Sequence, residues 1–162
     1  MNQAAPSPDA KKPAPHKSAR RRAREYAVQG LYQWQLTGDS VVSIERFLRD
    51  SSTSFGRADE NLFREVFYGT MRDVAPLKER LVPHLDRDEV DVSPVERAIL
   101  LVAAFELINK LDTPYVVIIN EAIEIAKTFG GTDGHRFVNG VLDKLAAEVR
   151  TAEVEESRNR KR

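Results

Sequence analysis

Two short clusters hold most of the side chains that could act on another molecule. The first is Arg20, Arg21, Arg22 and Arg24, four guanidinium groups within five residues. The second is Asp133, His135, Arg136 and Phe137, set beside the glycines Gly130, Gly131 and Gly134. Guanidinium forks grip phosphate oxygens and an aromatic face stacks on bases, so this is the chemistry that single-stranded nucleic acid requires. Each phosphate neutralised on a single strand contributes about −0.7 to the slope of log K against log salt. Solvation at a helix start and in a surface loop explains the same residues without any ligand.

Bond-making chemistry finds little support. His16, His84 and His135 stand apart, none at metal-ligand spacing from a carboxylate, and no HExxH or ExxH occurs. Glu121 and Glu124 lie three apart on one helical face but lack the histidines that metal sites in helix bundles use. The glycines are not followed by Gly-Lys-Ser/Thr, and no strand precedes them. A helix N-terminus after a glycine turn can still hold a phosphate through its free N–H groups. With no cysteine, disulfides and thiolate sites are excluded. The expectation is a binding protein and not an enzyme, with no catalytic residue, metal or cofactor.

Helices must position both clusters. Ser18 caps a first helix reaching about residue 37, where Gly38 ends it, so the four arginines occupy its first turns. Cations there oppose the helix dipole, which means that stability did not place them. Residues 43–51 predict a short helix with Ile44, Phe47 and Leu48 as its apolar face, and Asp59 or Arg57 opens another that runs to Pro76. Leu77, Leu81 and Leu85 mark a further short helix broken at Pro83, and residues 86–91, DRDEVD, read as an acidic, solvated linker. Ser93, Pro94 and Glu96 form a capping box before a run that is apolar on all sides from residue 98 to 105, which predicts a central helix. Ile119, Ala122, Ile123 and Ala126 give the next helix its stripe, ending at the glycine turn, where Thr132 or Asp133 can cap its successor. In that last helix Phe137, Val138, Val141, Leu142 and Leu145 form the seam, and Gly140 predicts close passage of a neighbour. No strand pattern intervenes. The fold class is all-α, a single-domain bundle of about seven helices.

Its boundaries follow composition. Residues 1–17, rich in proline and lysine, predict disorder; residues 18–150 form the domain; residues 151–162 lose the apolar pattern and should fray. The formal charge is zero, yet residues 1–24 carry seven bases against Asp9 alone, a balance of +6, leaving −6 on the rest. A basic arm on an acidic body suits one anionic and one basic partner. The longest apolar run is eight residues, and no secretory leader is evident, so a cytoplasmic protein is expected.

Three stretches carry a family resemblance: RRRAREYAVQGLYQWQL at residues 20–36, ERAILLVAAFEL with DTPYVVIINEA at 96–122, and INEAIEIAK, FG, FVNGVLDKL at 119–145. In this order the chain resembles the NusB family of transcription antitermination factors over residues 20–150. The resemblance implies a non-enzymatic, all-helical adaptor (a NusB-like antitermination fold) that binds single-stranded boxA RNA of ribosomal RNA transcripts with the ribosomal protein NusE, and works with other Nus elongation factors and RNA polymerase. It also implies an RNA face of Arg20, Arg21, Arg22, Arg24, Gln29, Asp133, Arg136 and Phe137, and a protein-partner face including Tyr32 and Glu96. Leu101 stands where many relatives have arginine, which favours burial there, and the Pro-rich extension lies outside the common pattern. A homodimer, a helical interaction module without an RNA role, and the RNA-binding part of a ribosomal RNA methyltransferase stay open as alternatives, although little chain follows residue 145 to hold a cofactor domain.

Overall fold

The computed structural model describes residues 17–129 and 133–161, and among them every regular element is helical. The proline-rich segment 1–16 and the residues Gly130, Gly131 and Thr132 lie outside the described residues. Helix α1 (Ala19–Thr37) starts where Ser18 accepts the Arg21 N–H at 3.0 Å and stops at Gly38, whose φ of 69° suits glycine. Helix α2 (Val41–Ser51) begins two residues earlier than its apolar pattern predicts, because Ser40 and not a later residue is the cap. Asp59 accepts the Leu62 N–H to open α3 (Glu60–Arg72). Helix α4 (Val74–Leu81) then contains Pro76 in its first turn, where a missing N–H forfeits no intrahelical bond.

A single turn of 3-10 helix at Val82–His84 absorbs Pro83, and a second, at Glu89–Asp91, gives the acidic linker some structure. Ser93 then caps α5 (Pro94–Asn109) by accepting the Glu96 N–H at 3.2 Å. Helices α6 (Tyr115–Phe129) and α7 (Gly134–Val149) flank the glycine turn. As the all-round apolar run predicts, α5 is central: residues 98–107 are buried throughout and the helix packs against α1, α3, α4, α6 and α7. Leu101 is fully buried there.

Two glycines let helices approach closely, and neither is Gly140. A methyl group on Gly30 would lie 2.5 Å from the Phe67 ring, and one on Gly69 would lie 2.2 Å from the ring of Phe105. Gly140 is exposed with nothing within 4 Å of such a methyl, so the expected close neighbour is absent there. Phe105 is almost wholly enclosed and cannot swing aside. Gly69→Ala should therefore destabilise the protein by about 1–3 kcal/mol despite alanine's better helix propensity, as measured by urea unfolding.

The segment after Arg150, expected to fray, is instead an eighth helix, α8 (Thr151–Arg160). Apolar burial there is thin, with Val154 its one buried residue, and polar anchoring supplies the rest. The buried Arg150 guanidinium donates to the carbonyls of Glu106 (3.3 Å), Leu107 (2.6 Å), Lys110 (2.9 Å) and Thr113 (3.1 Å), and to Glu153 at 2.7 Å. Glu153 in turn accepts the Tyr115 N–H at 2.8 Å. Arg150 thus gives the Leu107 carbonyl a donor and adds a second one to the Glu106 and Lys110 carbonyls, which also accept the Lys110 and Thr113 N–H groups, while Glu153 caps α6. The periodicity of the tail alone does not reveal this.

Candidate nucleic-acid interface

The four arginines at the start of α1 have three different environments. Arg24 is buried, and its Nε and Nη2 donate to the Glu106 carboxylate at 2.9–3.2 Å. Val28, Ile99, Val102, Ile118 and Ile125 wall the pair. This corrects the expectation that Arg24 faces a ligand: its guanidinium is committed inside the protein. Its spacing held the signal, since Ala27, Val28 and Leu31 follow at i+3, i+4 and i+7, which places Arg24 on the apolar stripe. Glu106, a lone carboxylate at the end of an otherwise apolar run, was its legible complement.

Arg21 is half-exposed and forms a fork to Glu121 of α6, Nε to Oε2 at 2.8 Å and Nη2 to Oε1 at 3.0 Å. These bonds raise its pKa further above the ordinary arginine value, against an opposing effect of burial. Glu121 is engaged by Arg21, and Glu124, three residues on, lies 3.5 Å from Lys127. Among the described residues no ion pair involves Arg20 or Arg22. Arg20 is exposed and Arg22 partly so. Two cations of the cluster are thus uncommitted, one is held at the surface, and one is structural.

The Arg21–Glu121 fork also relates the arm to the glycine turn. Glu121 and Phe129 are eight residues apart on α6, which at 1.5 Å per residue is about 12 Å along the axis. At the far side of the turn Asp133 occupies the position before α7, exposed, with no capping bond from its side chain. Arg136 is exposed on the first turn. Phe137 departs from expectation: it is 7% exposed, so its ring is not an open stacking face. The seam of α7 draws it inward, and the guanidinium carbon of Arg87 lies over the ring, 3.9 Å from its centroid. Sequence reasoning missed Arg87 because it sits in a stretch whose acids dominate.

Gln29 is half-buried on α1, and Tyr32, one turn further, is 38% exposed. Gln35 donates to the Pro94 carbonyl at 2.9 Å, which brings the Tyr32 end of α1 against the first turn of α5, where Glu96 lies. Only half of the capping box forms: Ser93 accepts the Glu96 N–H, while the Glu96 carboxylate points toward the start of α7, 3.7 Å from where a methyl on Gly134 would be. Of the two residues expected to face a protein partner, Glu96 thus lies beside the start of α7, and Tyr32 lies one turn before Gln35 on α1.

The model of the NusB family matches residues 21–147. The chain belongs to the NusB family. A curated relative, the transcription antitermination protein NusB of Laribacter hongkongensis, is 58% identical over 146 residues, which cover 90% of this chain and 88% of that one. Among solved structures, T. maritima NusB superposes with a TM-score of 0.71 at 29% identity, covering 86% of this chain and 99% of that one. A crystal structure of antitermination factors NusB and NusE in complex with dsRNA shares the fold at a TM-score of 0.70 and 20% identity, over 80% and 97% of the two chains. No helix among the described residues is long and apolar enough to cross a membrane.

Proposed function

We propose that this protein is a transcription antitermination adaptor that binds boxA-type single-stranded RNA of ribosomal RNA transcripts together with NusE, and so supports processive elongation by RNA polymerase with other Nus factors. It acts in the cytoplasm, by binding and without catalysis. The observation that carries the reading is the unequal treatment of the arginine cluster: Arg24 and Arg21 have carboxylate partners, while Arg20 and Arg22 at the same helix start have none among the described residues. Unpaired cations placed against a helix dipole contribute nothing to folding, and a polyanion gives them a partner. Gln29, Asp133 and Arg136 would extend that surface toward the glycine turn, and Tyr32 with Glu96 would receive NusE.

Family membership supports the same reading, as does the name of the solved NusB and NusE complex with dsRNA, which says what those proteins assemble with. The test is fluorescence anisotropy of a short boxA-type RNA titrated with this protein, with and without NusE, at two salt concentrations. Binding should weaken with salt, tighten with NusE and fail on a scrambled RNA. Binding of NusE without any preference between the two RNAs would replace the adaptor with a helical interaction module.

A further inference from the structure

We propose that Arg87, and not Phe137 directly, is the stacking plane of the RNA face. Its guanidinium lies over the Phe137 ring at 3.9 Å, and its side chain remains 39% exposed, so the group rests on the protein and is still accessible from solvent. Arginine planes stack on bases as aromatic rings do, and a ring behind the guanidinium fixes its orientation before any base arrives. The surroundings decide between a base and a phosphate as the ligand. Asp86 accepts from Arg87 Nε at 2.9 Å, and Asp91 and Glu96 also act on it electrostatically. Three carboxylates offset the charge that a phosphate would seek and leave the flat face that a base uses. Arg136, one residue before Phe137 on α7 and exposed, is the neighbouring cation for the backbone of the same nucleotide.

This inference rests on the proposal that the protein binds single-stranded RNA, and its test separates the two. A boxA-type RNA carrying one abasic nucleotide at each position in turn is titrated, in the presence of NusE, with the parent protein, Arg87→Ala and Arg87→Lys. In the parent, one abasic position should weaken binding by roughly five- to a hundred-fold, the range of a single base stack. Arg87→Ala should weaken binding of the intact RNA by a similar factor and lose its sensitivity to that position. Arg87→Lys should behave like the alanine variant, because an ammonium keeps the charge but has no plane.

Equal affinity of parent and Arg87→Ala for the intact RNA would overturn the inference. So would a weakened Arg87→Ala that keeps every abasic penalty, a weakened affinity for NusE alone, or tighter RNA binding, which would make Arg87 a cover over Phe137. Failure of the parent to bind the RNA at all would overturn the proposed function and this inference together.

Discussion

Glu106→Ala should lower the free energy of unfolding by about 3–5 kcal/mol, the cost of leaving one member of a buried ion pair without its partner. For a chain of 162 residues that is a fall in the thermal midpoint of about 6–20 °C. The Arg24 guanidinium would remain between α1, α5 and α6 with apolar walls, and it would have to drag water in or withdraw. Arg24→Ala should be comparably costly. The double variant Arg24→Met, Glu106→Leu should recover most of the loss, since well-packed apolar replacements of buried pairs are often neutral or better. Urea unfolding of the parent, Arg24→Ala, Glu106→Ala and the variant that combines these two alanine substitutions gives the coupling directly, and the Met/Leu variant is measured beside them. If the single variants lose less than 1 kcal/mol, the pair is solvated in solution and Arg24 returns to the list of cations open to RNA. If they lose the full amount while the Met/Leu variant keeps RNA affinity, Arg24 is structural and contributes nothing to the RNA face.

Arg20→Ala with Arg22→Ala should show the opposite profile, an unchanged fold and a large loss of RNA binding. Removing two phosphate contacts flattens the slope of log K against log salt by about 1.4. A fourfold rise in salt should then cost the variant about sevenfold less affinity than it costs the parent, a difference that follows from the same slope. Stability should stay constant or rise slightly, because both cations sit at the positive end of α1. The comparison variant is Arg21→Ala, which also removes the fork to Glu121 and so the tie between α1 and α6. Anisotropy at four salt concentrations reads the slope. An unchanged slope in the double variant would remove the start of α1 from the RNA face, whatever the affinity does.

These two experiments divide what the sequence made legible from what it did not. The helical fold was readable because capping serines and the 3.6-residue period are local signals, and Ser18, Ser93 and Gly38 act in the structure where the pattern put them. The central place of α5 followed from an apolar run with no polar face. The fates of individual arginines were harder, because proximity in sequence suggested one shared role while the helix turns Arg21 toward Glu121, Arg24 toward Glu106, and Arg20 and Arg22 toward neither. Arg24 belonged to the apolar stripe, but its partner lies 82 residues away. Arg87 carried no signal at all, since what defines it is the ring beneath it, contributed by a helix 50 residues later. Gly140 shows the converse error: a glycine inside a seam suggested crowding, while the crowded glycines, Gly30 and Gly69, drew no notice.

The bonds from Arg150 also bear on synthesis. The Leu107 carbonyl near the end of α5 takes a donor from Arg150, 43 positions later in the chain. At a translation rate of about 5–20 residues per second, the central helix waits roughly 2–9 s for that donor to be made, and longer for it to clear the ribosome. Until then the nascent chain holds its most apolar helix without its closing contacts, alongside a carboxylate whose arginine partner has already emerged from the other end. Within that interval Arg24 and Glu106, the two members of the buried pair, have both been synthesised, whereas the residue that closes the end of α5 has not.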